Sequence, residues 1–301
     1  EKEEPLEEKV ETVLIDQREL VRKALNSISL ENESIESLKL DSSDPKFHAN
    51  KIAQTFRKRI GKHIEKEMMF MTQEDKMNFA DPQNLSEFSQ PIYKSMIADE
   101  ARFMVDPSYI SKVQTEIHDA SRAFLLEWII DVHRKFRLRP ECLYVTQLII
   151  DQYLSQVKIQ KSQLHLLGVA TLLIATKYEE IYPPELRELL AISENKFTKE
   201  QVLTMEKEIL TTLGFVLTAP SAYRFLERYR QLSKLYADKE VFFYAQYILE
   251  VSILDASLLQ FRPSQLAAAS LMLSATQLKK NDGWTDHMER FTDYTKASLK
   301  H

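Results

Sequence analysis

The sequence predicts an all-α chain in which two similar helical units in tandem follow a largely irregular N-terminal extension. Three observations carry that expectation. From about Glu100 onward, apolar residues recur at the helical period almost without interruption. The run Leu167-Gly168-Val169-Ala170-Thr171-Leu172-Leu173-Ile174 aligns with Leu266-Ala267-Ala268-Ala269-Ser270-Leu271-Met272-Leu273 at a shift of 99 residues. Residues 163–178 are apolar at their centre on nearly all sides, which only a helix surrounded by other helices can sustain.

The elements follow in order. Glu1 to Lys9 is acidic, and Ser27 to Asp44 is rich in Ser, Glu and Asn, so the latter is expected to be disordered alone. Between them, Val13, Leu14, Leu20, Val21 and Leu25 suit one short amphipathic helix. A second candidate runs from about Asn50 to Met71, with Phe56, Ile60 and Ile64 on one face and Lys51, Arg57, Lys58, Arg59, Lys62 and Lys66 around it. That helix reads as a solvated one packed on a neighbour, or as a nuclear-import or partner-docking segment. Residues 119–136 carry apolar side chains at 124, 125, 128, 129, 132 and 136, a broad helical face. Pro140 with Glu141 opens the next helix, to about Leu154, because a first-turn Pro loses no hydrogen bond. Ser162 is a candidate cap for 163–178, and Pro183-Pro184 for the start of a short fourth helix. Thr198 and Gln201 form a capping box for a fifth, which stops at Gly214, a left-handed cap. Ile149-Ile150-Asp151 also matches Ile253-Leu254-Asp255 at a shift of 104, with the five-residue difference assigned to a loop. The expected division is 1–99 for the extension, 100–218 for the first unit and 219–301 for the second.

Composition narrows function. The 301 residues are 44% hydrophobic and 28% charged, as in a soluble globular protein of two ordinary domains. A net charge of −5 argues against nucleic-acid binding driven by bulk charge. No apolar run approaches the length of a membrane span, and Glu1-Lys2-Glu3-Glu4 is the opposite of a secretory signal. The absence of an initiating Met points to a fragment. One cysteine, Cys142, allows no internal disulfide and points to a reducing compartment. The four glycines, Gly61, Gly168, Gly214 and Gly283, lie too far apart for any glycine-rich phosphate loop. One Cys and seven scattered His give no metal-ligand spacing. No cofactor, metal or catalytic set is expected, and an enzyme is not.

The run Leu172-Leu173-Ile174-Ala175-Thr176-Lys177-Tyr178-Glu179-Glu180-Ile181-Tyr182-Pro183-Pro184 is the most specific motif in the chain. With Glu127-Trp128-Ile129-Ile130-Asp131-Val132-His133-Arg134-Lys135-Phe136 before it and Met205-Glu206-Lys207-Glu208-Ile209-Leu210 after it, it closely resembles the cyclin box of B-type (mitotic) cyclins. Gln114-Thr115-Glu116-Ile117, Tyr144 to Leu154, Pro220-Ser221 and Arg262-Pro263-Ser264-Gln265 extend the resemblance over about residues 100–301. It implies two five-helix cyclin folds and a chain that binds and activates a cyclin-dependent protein kinase in nucleus and cytoplasm, with no nucleic acid or membrane as partner. The family's kinase-contacting Lys and Glu fall on Lys177 and Glu206, with Tyr178, Glu179, Glu180 and Ile181 beside them. The position equivalent to Lys177 in the second half is Thr276, so the helix architecture does not itself require the charge.

The family's second surface is a shallow groove that docks substrates bearing Arg-x-Leu. It falls on Ser121, Phe124, Leu125, Trp128, Asp131 and His165, where Ser121 replaces the usual Met and His165 the usual Gln. Arg22, Ala24, Leu25 and Ile28 resemble a destruction box, the degradation signal of mitotic cyclins. The family usually closes its second fold with a final helix, which the residues up to His301 do not supply. Two other readings remain open on sequence alone. One is a cyclin-fold adaptor held in a large assembly whose partners order residues 1–99. The other is a nucleic-acid-binding relative like transcription factor IIB, which the acidic balance disfavours.

Overall fold

Helical periodicity becomes eleven α-helices in the computed structural model, which describes residues 88–280 and 283–299. They are α1 (Ser89–Glu100), α2 (Tyr109–Val113), α3 (Asp119–Phe136), α4 (Pro140–Gln156), α5 (Leu164–Glu179), α6 (Leu186–Ile192), α7 (Lys199–Thr212), α8 (Ala222–Leu232), α9 (Lys239–Ser252), α10 (Pro263–Gln277) and α11 (Asp286–Thr292). No strand occurs among the described residues. The expected helices within 13–25 and 50–71, the 27–44 stretch and the destruction-box-like Arg22, Ala24, Leu25 and Ile28 lie outside them.

The apolar centre of α5 makes it the axis of the first unit. Leu167 to Thr176 are all buried, and α3, α4, α6 and α7 pack around it. The second unit repeats the plan: α10 carries Ala267, Ala268, Leu271 and Ala275 in its core face, and α1, α8 and α9 surround it. The starts of α5 and α10, and of α4 and α9, are each offset by 99 residues. The match at a shift of 104 is not structural. Ile149–Asp151 lies inside α4, whereas Ile253–Asp255 follows the end of α9, where Asp255 caps the 3₁₀ turn Ala256–Gln260.

Local chemistry accounts for the boundaries, twice at residues other than those expected. The Thr198 hydroxyl accepts from the Gln201 amide at 3.3 Å and Gln201 Oε1 accepts from the Thr198 amide at 2.8 Å, starting α7. Gly214, at φ +57°, follows its last turn. At α5, however, Gln160 rather than Ser162 caps the preceding 3₁₀ turn, in a reciprocal box with Gln163. Pro183-Pro184 do not start α6. A residue preceding Pro is disfavoured in the helical region, which keeps Pro183 out of the helix, and Glu185 caps α6 in a box with Glu188.

Two buried polar clusters bind the layers together. The Arg122 side chain on α3 is fully buried and donates to both carboxylate oxygens of Asp151 on α4, at 2.6 and 2.7 Å. Its third arm donates to the Ile253 carbonyl of the second unit at 2.7 Å. Tyr109 Oη donates to the same Asp151 at 2.7 Å, and Gln147 Nε2 also donates to it. Helix α1 packs on the second unit: the Tyr93 ring lies against Phe225, Tyr229 and Phe291. The buried Glu100 carboxylate accepts from the Ser264 amide at 3.1 Å and its hydroxyl at 2.9 Å. Burial pushes the Glu100 carboxyl above its ordinary range, and the Ser264 hydrogen bonds pull it back.

Candidate functional site

The end of α5 presents the most developed polar and apolar surface of the first unit. Lys177 lies in the last turn, where a cation complements the helix dipole, but its ammonium reaches across to α7. It donates to both Glu206 carboxylate oxygens, at 2.7 and 3.0 Å. Lys177 is half exposed, while Glu206 is largely covered. Beside this pair, Tyr178, Ile181 and Tyr182 are 46%, 81% and 91% exposed. Large apolar side chains this exposed in a run are normally covered by another molecule. Tyr178 Oη is in hydrogen-bond contact with the Thr218 hydroxyl in the linker between the two units.

Glu179 and Glu180 are partly buried. Glu180 Oε1 accepts from the Arg139 amide at 2.6 Å, at the N-terminus of α4 where a carboxylate is favoured, and from the Cys142 thiol at 3.2 Å. Burial, with Glu180 in attendance, holds the Cys142 thiol far above its usual range. Burial and then repulsion from Glu141 raise the Glu179 carboxyl, while Glu141 itself is paired with Arg224 of the second unit at 2.8 Å. Glu180 thus ties the base of the exposed ridge to the start of α4, and Glu141 ties that end of α4 to the second unit. Tyr182 belongs to the motif that marks this end of α5, whereas Leu203, Phe215 and Val216, also exposed, carry no signal of their own in that motif. Phe215 also adopts a left-handed backbone, φ 62°, directly after Gly214. An aromatic residue placed beyond a glycine helix stop is the signal that would have found it.

The six groove residues separate into floor and rim. Phe124 is 71% exposed and Asp131 is exposed, whereas Leu125 is buried and Trp128 and Ser121 are partly so. The His165 ring stands edge-on to Trp128, with centroids 4.5 Å apart, and to Phe197 at 5.6 Å. Phe197, unnamed in the sequence reading, therefore completes an aromatic floor. His165 Nε2 is buried with no hydrogen-bond partner among the described residues. Burial, reinforced by Lys196, pushes its imidazole below the ordinary value, so the ring is neutral at pH 7. The floor thus offers one unpaired polar atom within an aromatic surround.

No group of three or more His, Cys, Asp or Glu among the described residues is placed to hold a metal ion, and no described helix is long and apolar enough to cross a membrane.

Comparison with known proteins agrees with the two-unit helical fold. The family described as "Cyclin, N-terminal domain" matches residues 91–218, and "Cyclin, C-terminal domain" matches residues 220–301. Cyclin-A1-4 of Oryza sativa subsp. japonica is 38% identical over 226 residues, 74% of this chain and 64% of that protein. Cyclin-B1-1 of the same rice is 37% identical over 230 residues, 75% of this chain and 50% of its own length. The chain thus spans between half and two thirds of these relatives, and they divide between the A and B types. The crystal structure of a viral cyclin from herpesvirus saimiri shares the fold, with a TM-score of 0.57 at 23% identity over 63% of this chain and 84% of that one. With one domain family matched along each of its two helical units, the chain belongs to the cyclin family, whose members are regulatory and non-enzymatic.

Proposed function

We propose that this cyclin is the regulatory subunit of a cyclin-dependent protein kinase in cell-cycle control, of the mitotic B type, at work in nucleus and cytoplasm. The kinase-binding face lies in the first domain, 100–218, with the second, 219–301, bracing it. The observation that carries this reading is the Lys177–Glu206 pair set beside the exposed Tyr178, Ile181 and Tyr182.

The chemistry belongs to the kinase. A monomeric kinase whose catalytic Glu is swung out lacks the Lys–Glu pair that positions ATP. A surface that binds only the swung-in state shifts the equilibrium toward it. Moving a population from almost all off to almost all on needs about 5.5 kcal/mol of differential affinity. An exposed ion pair contributes about 1 kcal/mol or less, whereas each fully covered Ile- or Tyr-sized side chain contributes about 1.5–3 kcal/mol. The apolar ridge therefore supplies most of the shift, and the ion pair supplies orientation.

Purified chain mixed with a monomeric cyclin-dependent kinase is expected to form a one-to-one complex and raise protein-substrate phosphorylation on the order of 100-fold, the change in active fraction for such a shift. A complex without stimulation, or no complex, would leave only an adaptor role. Within the same reading, Ser121, Phe124, Leu125, Trp128, Asp131 and His165 form the substrate-docking groove. Ser121 gives it a smaller apolar lining than a Met would, and the Nε2 of His165 awaits a partner. An Arg-x-Leu peptide is expected to bind with a Kd below about 1 mM and to lose binding in Trp128→Ala; a Kd of about 1 mM or weaker removes the groove from the proposal.

A further inference from the structure

Between the two domains the chain leaves a partly enclosed cavity of about 100 Å³. Five segments meet around it: Val105 from the stretch between α1 and α2, Leu148 on α4, Pro220 in the linker, Leu259 in the 3₁₀ turn after α9, and Leu266 on α10. All five are apolar and only partly buried. The layers on either side are packed shut, with Ile149, Ile150 and Ala267 wholly enclosed. Close packing is the rule in protein interiors, so a gap of this size between two packed layers departs from it. Neither the Lys177 pair nor any of the six groove residues lines the cavity.

The polar groups on the cavity wall are already committed. Asp151 and Ile253 form part of that wall, and the Arg122 guanidinium joins the carboxylate of one to the carbonyl of the other. Tyr109 and Gln147 donate the remaining hydrogen bonds to Asp151. The Ser252 hydroxyl donates to the Leu249 carbonyl at 2.7 Å, and the Ser221 hydroxyl accepts from the Arg224 amide at 3.2 Å. Asp255 accepts from the Ser257 amide at 2.8 Å and is otherwise exposed to water. A water molecule needs about two to four polar partners to be held, and an ion taken out of water needs a paired charge. The apolar side chains that surround the space supply neither, so the wall favours an occupant that is uncharged and apolar.

We propose that this cavity binds one neutral, apolar small molecule of about single-ring size. Apolar cavities of about 150 Å³ stay dry and take up benzene, which sets the scale. A space this small holds no helix or extended peptide, and a nucleotide or other anion would meet Asp151 and Asp255 with no unpaired donor to receive it. Mostly apolar cavities at domain boundaries are where small ligands characteristically bind. Because the wall draws on both domains and on their linker, a single occupant touches all three, directly over the Arg122 joint. It binds the folded chain and not the unfolded one, so it stabilises the two-domain arrangement.

The test titrates the full chain with fluorobenzene, followed by broadening of the fluorine NMR signal and by thermal melting. The expected result is a Kd on the order of 1 mM or tighter, with the melting temperature raised by about 3–5 °C at about ten times that concentration. Two charged rings of similar size, 4-fluorobenzoate and 4-fluorobenzylammonium, are expected to bind at least roughly tenfold more weakly, because neither charge finds a partner inside. Ala219→Phe and Leu259→Phe each add a ring's bulk at the wall, one from the linker and one from the second domain. Each is expected to weaken fluorobenzene binding at least roughly tenfold, with far-UV circular dichroism checking that the fold is kept. No binding to the unaltered chain at about 10 mM would overturn the proposal, and this outcome needs no variant. So would undiminished binding by a variant that keeps its fold, or a charged ring binding as tightly as the neutral one.

Discussion

Arg122→Ala is expected to lower the unfolding free energy by about 3–5 kcal/mol, read as a lower urea midpoint at unchanged slope. The guanidinium is fully enclosed, and it satisfies both oxygens of an equally enclosed Asp151 and the Ile253 carbonyl. Truncation leaves a buried carboxylate with only Tyr109 and Gln147 as donors, and a buried carbonyl with none in place of the one it lost. The penalty is one of abandonment, not of attraction: an uncompensated charge in a low dielectric costs more than the pair contributes. A double replacement by apolar residues, Arg122→Met/Asp151→Leu, is therefore expected to recover most of the loss. A drop of less than about 1 kcal/mol for the single variant would mean that water reaches the site and that the two domains are not joined through it.

Lys177→Ala is expected to do the reverse, leaving stability within about 1 kcal/mol while weakening kinase binding on the order of 30-fold to 3,000-fold. In the free chain the Lys177–Glu206 pair is half in water and contributes little. Under a bound kinase the same charges lose their water, and removing one strands the other. Stimulation and affinity are expected to fall together, because the binding energy is what shifts the kinase equilibrium. Thermal melting and a stimulation titration on the same preparation separate the two effects. Unchanged affinity and stimulation in this variant would remove Lys177 from the kinase-binding face.

The fold was legible because its signals are local. The apolar run of α5, the Thr198–Gln201 box and the Gly214 stop each lie within a few residues of what they determine. Where a boundary depended on a less favoured cap, the sequence misled. Gln160 and Glu185 cap their helices with long side chains, where Ser162 and the prolines were the favoured residue types. The Lys177–Glu206 contact was anticipated only through family resemblance, since 29 positions separate the two residues. Arg122 and Asp151 are separated by as many, and no local spacing marks them as a pair. A charge on the buried face of α3, next to Leu125 and Leu126, and another inside the apolar α4 were the available clues. The Ile253–Asp255 alignment failed instructively: two similar tripeptides are not equivalent in the repeat, yet the Arg122 guanidinium touches both segments.

The sealed environment of Cys142 has a practical corollary. Its thiol sits between α4 and α5 with Glu180 alongside and has almost no thiolate to offer at neutral pH. The folded chain is in effect blank toward maleimides and similar reagents. A cysteine introduced at the outermost point of the ridge, Tyr182, would then be the sole attachment point for a fluorophore, so the arrival of a kinase could be timed without first stripping the native sulfur from the molecule.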